Sequence, residues 1–87
     1  MYYVYVIQSD CGEHYIGYTT DLRQRLFAHN SGLTRATKGK NWTLVYYEAY
    51  RCAADARRRE VNLKKSGQGR RWLYERISQS MTLSEKS

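Results

Sequence analysis

Four side chains within the first thirty residues can do proton and phosphate chemistry together: the phenols of Tyr5 and Tyr15, the guanidinium of Arg25 and the imidazole of His29. The tyrosines lie in two short alternating segments, Tyr3-Val4-Tyr5 and Tyr15-Ile16-Gly17, which run into a helical stretch carrying Arg25 and His29. A planar guanidinium grips phosphate oxygens through paired N–H bonds and keeps its charge at any ordinary pH. An imidazole one helical turn further on can take a proton from a tyrosine or from water near neutrality. Tyrosine alone is a poor base, because a reference pKa of about 10 leaves roughly one molecule in a thousand ionised at pH 7. A neighbouring positive charge changes this, and a two-unit drop corresponds to about 2.7 kcal/mol in favour of the phenolate. Arg25, a bound metal ion or a hydrogen bond to His29 could each supply that help.

Cutting a phosphodiester requires a nucleophile made from water, positive charge on the phosphoryl oxygens and stabilisation of the departing 3′ oxygen. Glu60 is the candidate metal ligand, since one carboxylate can hold Mg²⁺ while the ion keeps several waters and takes its other oxygens from the phosphate. The plain alternative for Glu60 is an i,i+4 ion pair with Lys64, worth a few tenths of a kcal/mol. The remaining acids do not cluster: Asp10 and Glu13 flank a turn, Asp21 precedes a helix, and Glu48, Asp55, Glu75 and Glu85 are scattered. This inventory favours one metal ion plus cationic side chains over a two-metal carboxylate site. Cys11, His14 and Cys52 contain a Cys-x-x-His fragment without a second pair at zinc-site spacing. No Gly-rich phosphate loop, nucleophile elbow or Ser/His/Asp order is present.

The elements that must position these groups can be read from periodicity. Residues 2–8 alternate, with Tyr3, Tyr5 and Ile7 on one face and Val4 and Val6 on the other, and predict a strand. Asp10-Cys11-Gly12 is a turn signal, and 14–19 returns as a second antiparallel strand. Thr20 or Asp21 caps a helix to about Asn30 that Gly32 ends, with Leu22 and Leu26 as its buried stripe and Arg25 and His29 four residues apart on an adjoining face. Residues 31–41 are polar and basic and predict a mobile loop suited to phosphate contact through Arg35, Lys38 and Lys40. Trp42 to Tyr50 predicts a third strand, and 52–65 a helix with Ala53, Ala56, Val61 and Leu63 inward. Ser66-Gly67-Gln68-Gly69 breaks it, and a last helix from Arg70 to about Ser78 is expected to pack Trp72, Leu73 and Ile77. For Tyr2, Tyr3, Tyr46 and Tyr47 core packing is the expected role. The order β-β-α-β-α-α gives an α+β fold, a small three-stranded antiparallel sheet flanked by helices.

A chain of 87 residues makes one domain, taken as 2–78 with a polar tail over 79–87, and buries only about two-thirds of its unfolded surface. Fifteen Lys and Arg against eight Asp and Glu give a net charge of +7. Almost all of the excess lies in residues 57–76, where eight basic residues face Glu60 and Glu75. Such a basic face is the footprint of a polyanion partner or simply a solvated helix face. Arg58, Lys64, Lys65, Arg70 and Arg71 are the candidate phosphate contacts. Two widely separated cysteines, the absence of a signal-peptide pattern and the lack of an apolar run near 20 residues predict a protein with free thiols in a reducing cytoplasm and no membrane span.

Tyr3-Val4-Tyr5, Tyr15-Ile16-Gly17, the Arg25 to His29 spacing and Glu60 stand where GIY-YIG nucleases carry their motifs. Over residues 2–77 the chain resembles this family, and the small stand-alone bacterial domains in particular. The first block departs from the family, reading Tyr-Val-Tyr instead of Gly-Ile-Tyr; only its third position carries chemistry there, and Tyr5 supplies it. The resemblance implies a metal-dependent endonuclease acting on DNA, single-stranded or structured, in repair, recombination or processing. It implies one Mg²⁺ or Mn²⁺ ion at Glu60, Tyr5 as general base and Tyr15 as its partner in orienting water, with the two tyrosines exchangeable in role. A catalytically weak nucleic-acid-binding module that uses the basic face is the rival, disfavoured because none of Tyr5, Tyr15, Arg25, His29 or Glu60 is missing. A monomer is expected, with no separate DNA-reading domain, so that substrate shape, single-strandedness or an unidentified protein partner would supply specificity.

Overall fold

A computed structural model describes residues 1–81. Three strands, β1 (Tyr2–Ser9), β2 (His14–Thr19) and β3 (Trp42–Tyr50), form an antiparallel sheet in the order β2-β1-β3. The helices are α1 (Leu22–Asn30), α2 (Ala53–Lys65) and α3 (Gly67–Arg76), with a short 3-10 turn over Arg35–Thr37. This is the predicted α+β architecture in the predicted order. β1 lies in the centre and is buried on both faces, as its unbroken run of apolar residues requires. Val4 and Val6 face α2 and α3, packing with Ile16, Ala56, Leu63, Leu73 and Ile77. Tyr5 and Ile7 face the other way, against Trp42, Leu22, Leu26 and Leu44. At the β1–β2 turn Gly12 takes a φ of 83°, which favours glycine, and Ser9 Oγ accepts the amide N–H groups of Cys11 and Glu13.

α1 starts where Asp21 accepts the N–H of Gln24 at 3.1 Å and stops at Ser31, followed by Gly32 with φ 76°. Its most buried positions are Ala28 and His29, while Leu22 and Leu26 are only half-buried. The helix therefore sits on the sheet through a small residue and an imidazole, and the two leucines pack at the margin.

The segment 31–41, expected to be a mobile loop, is folded back and anchored. The Asn30 side chain bonds both the N–H and the carbonyl of Trp42, at 2.6 and 3.0 Å, and the Trp42 indole donates to the Thr37 carbonyl at 2.9 Å. Thr37 is fully buried. A polar residue in a basic, glycine-bearing stretch gives no sequence signal of burial; the buried group that Thr37 meets is His29.

In α2 the inward residues are Ala56 and Leu63, with Ala53 half-buried, whereas Val61 is exposed. Val61 sits about 140° around the helix from Ala56, which turns it away from the sheet. α3 begins at Gly67, earlier than expected, because Ser66 caps it by accepting the N–H of Gly69 at 2.9 Å. Arg70 then donates to the carbonyls of Leu63 and Lys64 at 2.8 and 2.6 Å, satisfying the open end of α2. Leu73 and Ile77 enter the core as expected, but Trp72 does not: it is 63% exposed. Residues 78–81 form a further helical turn, and the rest of the expected polar tail lies outside the described residues. Of the four tyrosines assigned to core packing, Tyr2 and Tyr46 pack against the core, while Tyr47 is exposed and meets Tyr3 edge-on.

Candidate active site

The site is built where Tyr5 of β1 meets His29 of α1, a helix that packs on β3. Tyr5 pairs across the sheet with Gly17 of β2, and its ring lies directly over that glycine. A Cβ at position 17 would sit inside contact distance of the Tyr5 hydroxyl and ring carbon Cζ. The requirement for glycine here is therefore steric, set by the tyrosine, and not one of backbone conformation.

The Tyr5 hydroxyl reaches His29 Nε2 at 2.7 Å and receives the Arg25 Nε–H at 3.3 Å. On the far side of the imidazole, Nδ1 lies 2.7 Å from Thr37 Oγ1, which lies 3.3 Å from the Thr34 carbonyl. With the threonine proton on the Thr34 carbonyl, which can only accept, Oγ1 accepts from Nδ1–H. The proton on Nδ1 leaves Nε2 with its lone pair, and Tyr5 O–H donates to it. In this tautomer, with Nδ1–H turned to Thr37, His29 is an acceptor for the tyrosine proton.

Burial, and then the nearby Arg25 charge, hold His29 below the usual histidine range. Burial pushes Tyr5 up, against the bond and charge of Arg25, which pull it down. Arg25 itself is raised, first by its bond to Tyr5. The resting site is accordingly a phenol, a neutral imidazole and a guanidinium.

Tyr15 closes the cluster, its ring edge-on to His29 at 4.9 Å between centroids and tilted to Tyr5 at 6.4 Å. α2 runs beside β2 and presents Arg57, Glu60 and Lys64 along one stripe. Arg57 lies over the Tyr18 ring at 5.1 Å and Lys64 Nζ over the Tyr15 ring at 5.7 Å. Glu60 Oε2 is 3.0 Å from Lys64 Nζ, so the plain i,i+4 pairing is formed, yet the pair sits beside the tyrosines and the Glu60 charge acts on Tyr5. Among the described residues no three His, Cys, Asp or Glu gather to hold a metal, and Cys11 and Cys52 are exposed free thiols.

The basic residues divide into two kinds. Arg59 makes a bidentate pair with Glu48, whose carboxylate also accepts the Tyr46 and Tyr50 hydroxyls. Burial pushes Glu48 up, but Arg59 and the two phenols overcome this and hold it below the usual range; burial and Glu48 push both tyrosines up to about 12. Arg70 is committed to closing α2. Lys40 pairs with Glu13, and Arg58 with Asp55 at 3.3 Å. Arg35, Lys38, Lys65 and Arg71 are exposed and enter no ion pair among the described residues.

Residues 1–75 match the GIY-YIG catalytic domain. The chain belongs to the GIY-YIG family. It is 39% identical over 67 residues to a UPF0213 protein of Halobacterium salinarum, covering 75% of this chain and 87% of that one. A UPF0213 protein of Streptococcus pneumoniae is 39% identical over 70 residues, 72% of this chain and 66% of its own length. One from Bacillus pumilus is 34% identical over 80 residues, 84% and 76% of the two chains. No solved structure matches the chain significantly. The GIY-YIG domain is a nuclease domain, and such nucleases generally depend on a divalent metal. In GIY-YIG terms the variant first block Tyr3-Val4-Tyr5 keeps its phenol in the bonded position at Tyr5, and Gly17 of the second block is the surface that phenol rests on.

Proposed function

We propose that this GIY-YIG protein is an endonuclease that hydrolyses phosphodiester bonds in DNA with one divalent cation, Mg²⁺ or Mn²⁺. The observation that carries the reading is the Tyr5 hydroxyl held between the Arg25 guanidinium and the bare nitrogen of a buried, neutral His29. Nothing in packing a sheet requires that chain of three groups. Tyr5 first passes its proton to His29 Nε2, and the phenolate takes the proton of the attacking water; the water oxygen bonds to phosphorus as the bond to the 3′ oxygen breaks, and that oxygen leaves as an alkoxide that takes a proton from solvent. Arg25 holds the phosphate and the phenolate, and Tyr15, whose ring lies against both Tyr5 and His29, orients the water.

Reference pKa values put the tyrosine about 3.5 units above the histidine, roughly 5 kcal/mol against proton transfer, and burial moves both groups further apart. Extra positive charge at the phenolate is therefore needed beyond Arg25. Glu60 fits the holder of that charge: its carboxylate is partly exposed, beside Tyr15, already bound to one cation, and Mg²⁺ accepts a single carboxylate while keeping waters and phosphate oxygens. The ion would neutralise phosphoryl charge and stabilise the phenolate and the departing oxygen. The test is a cleavage panel of single-stranded, duplex, flap and branched DNA and RNA with Mg²⁺ and with Mn²⁺; failure to cut any of them would sink the reading.

A neutral His29 has a consequence for stability. Its folded pKa lies below the unfolded value near 6.5, so the unfolded chain binds the extra proton first and stability falls as pH drops from about 6.5 through the folded pKa. Thermal melts from pH 8 to pH 5 should show this loss in the parent and a flatter profile in His29→Gln. Identical slopes would place His29 outside the buried neutral state.

The exposed basic residues should govern affinity but not chemistry. Replacing Arg58, Lys65 and Arg71 together should flatten the dependence of log affinity on log salt by up to about three units if each meets a phosphate. Single-turnover cleavage at saturating DNA should stay near the parent rate. A salt titration with an unchanged slope would leave these residues as a solvated face.

A further inference from the structure

Trp72 is the largest departure from what the sequence predicts for the core, and its surroundings give it a use. On α3, Gly69, Trp72, Leu73 and Arg76 recur at one face, and with Arg59 of α2 they line a cleft of about 230 Å³. Leu73 is buried at its base and Gly69 contributes no side chain. The indole forms an exposed wall. Two guanidiniums complete the lining. Arg59 is fixed in place by Glu48 through Nε and Nη2, so that carboxylate is already neutralised and also holds two tyrosine hydroxyls. Arg76 is exposed and enters no ion pair among the described residues. None of the cleft residues belongs to the Tyr5 site, which shares α2 with it but lies toward β2, whereas Arg59 is tied to β3.

An exposed indole costs hydration free energy in a small domain with little core to spare. An apolar flat wall edged by arginines in a chain of net charge +7 is complementary to a partner that is flat, aromatic and anionic. A nucleotide has those three properties together, and an aromatic ring beside cationic groups is how single strands are held without sequence preference. A duplex offers only its phosphates to such a cleft, because its bases are stacked on one another.

We propose that the Trp72 cleft is a binding site for an unpaired nucleobase, stacked on the indole with its phosphate against Arg76, while Arg59, held by Glu48, forms the opposite wall. The inference rests on the nuclease reading only for the nature of the polymer, and it narrows the substrate to nucleic acid with an unpaired segment. Stacking of one base on one aromatic ring corresponds to about a 5- to 150-fold effect on affinity.

The experiment uses the full chain carrying Glu60→Gln, so that binding is read without cleavage. Single-stranded oligothymidylate and a duplex of equal length are titrated, with tryptophan fluorescence and anisotropy of a labelled strand as readouts. Trp42 is buried, so quenching reports Trp72. The single strand should quench; Trp72→Ala should abolish the quench and weaken single-strand binding by about fivefold or more, leaving the duplex nearly unchanged. Trp72→Phe, which restores a stacking ring, should recover most of the affinity. Absence of quenching, or equal losses for both ligands in Trp72→Ala, would overturn the proposal. So would concentration-dependent dimerisation that covers Trp72 without any oligonucleotide. Binding that depends on Trp72 in a parent that cuts nothing would uphold the cleft and sink the nuclease reading, whereas cleavage by a parent whose single-strand affinity is indifferent to Trp72 would do the reverse.

Discussion

Tyr5→Phe is expected to lower the single-turnover cleavage rate by a factor on the order of 10² or more, the usual contribution of a positioned base. The substitution keeps the ring that lies over Gly17 and fills the core beside Ile7 and Trp42, so the sheet should survive. It removes only the hydroxyl, and with it the proton donor to His29 Nε2 and the acceptor for Arg25 Nε. A buried imidazole nitrogen left without a partner costs about 1–3 kcal/mol, so the melting temperature should fall somewhat and the rates must be compared well below it. His29→Ala should lose a comparable factor. Because the two groups move one proton between them, the double variant should be little worse than either single one. Additive losses would mean that the hydroxyl and the imidazole act in separate steps. A Tyr5→Phe protein that cuts at the parent rate would shift the base to Tyr15, whose ring also touches the imidazole.

The parts of this site that were legible in the sequence share one property: they lie on regular elements whose period is fixed. Tyr5 and Tyr15 meet in one hairpin because two alternating segments flank a glycine turn, and Arg25 and His29 share a helix flank because they are four residues apart; the register that sets Tyr5 opposite Gly17 is visible only in the structure. Thr37 was not legible. It belongs to a 3-10 turn in a stretch that looks like an unstructured basic loop, and its burial depends on Asn30 and Trp42 closing that loop from its two ends. Trp72 and Val61 were misplaced for a different reason. Sequence hydrophobicity assigns a large apolar side chain to the core, but α2 and α3 each lay only a narrow stripe on a three-stranded sheet, filled already by Ala56, Leu63, Leu73 and Ile77. The apolar residues left over face outward. The basic quarter was legible as charge and not as role, since pairing with Glu48 and closure of α2 distinguish Arg59 and Arg70 from Lys65 and Arg71 only in three dimensions.

Glu60→Gln should reduce metal-dependent cleavage below about one per cent of the parent, since it removes the anchoring charge for the cation that the Tyr5–His29 pair needs. The amide has nearly the shape of the carboxylate, and its side chain lies at the surface of α2, so the fold should hold. Lys64 makes the result more informative. In the parent it is bound to Glu60 at 3.0 Å and held over Tyr15, which means that a metal ion arriving at Glu60 must displace an ammonium. In Glu60→Gln that ammonium loses its partner and is free to meet a phosphate. DNA affinity measured without metal should therefore be equal to or slightly tighter than that of the parent, while cleavage collapses. The same pairing predicts that Lys64→Met binds Mn²⁺ more tightly than the parent in a titration without DNA, because no internal cation competes for the carboxylate. Loss of cleavage together with loss of DNA affinity in Glu60→Gln would point to a misfolded α2. Full cleavage in that variant would show that the single carboxylate beside the tyrosines holds nothing but Lys64, and the positive charge required by the phenolate would then have to come from Arg25 and Lys64 alone.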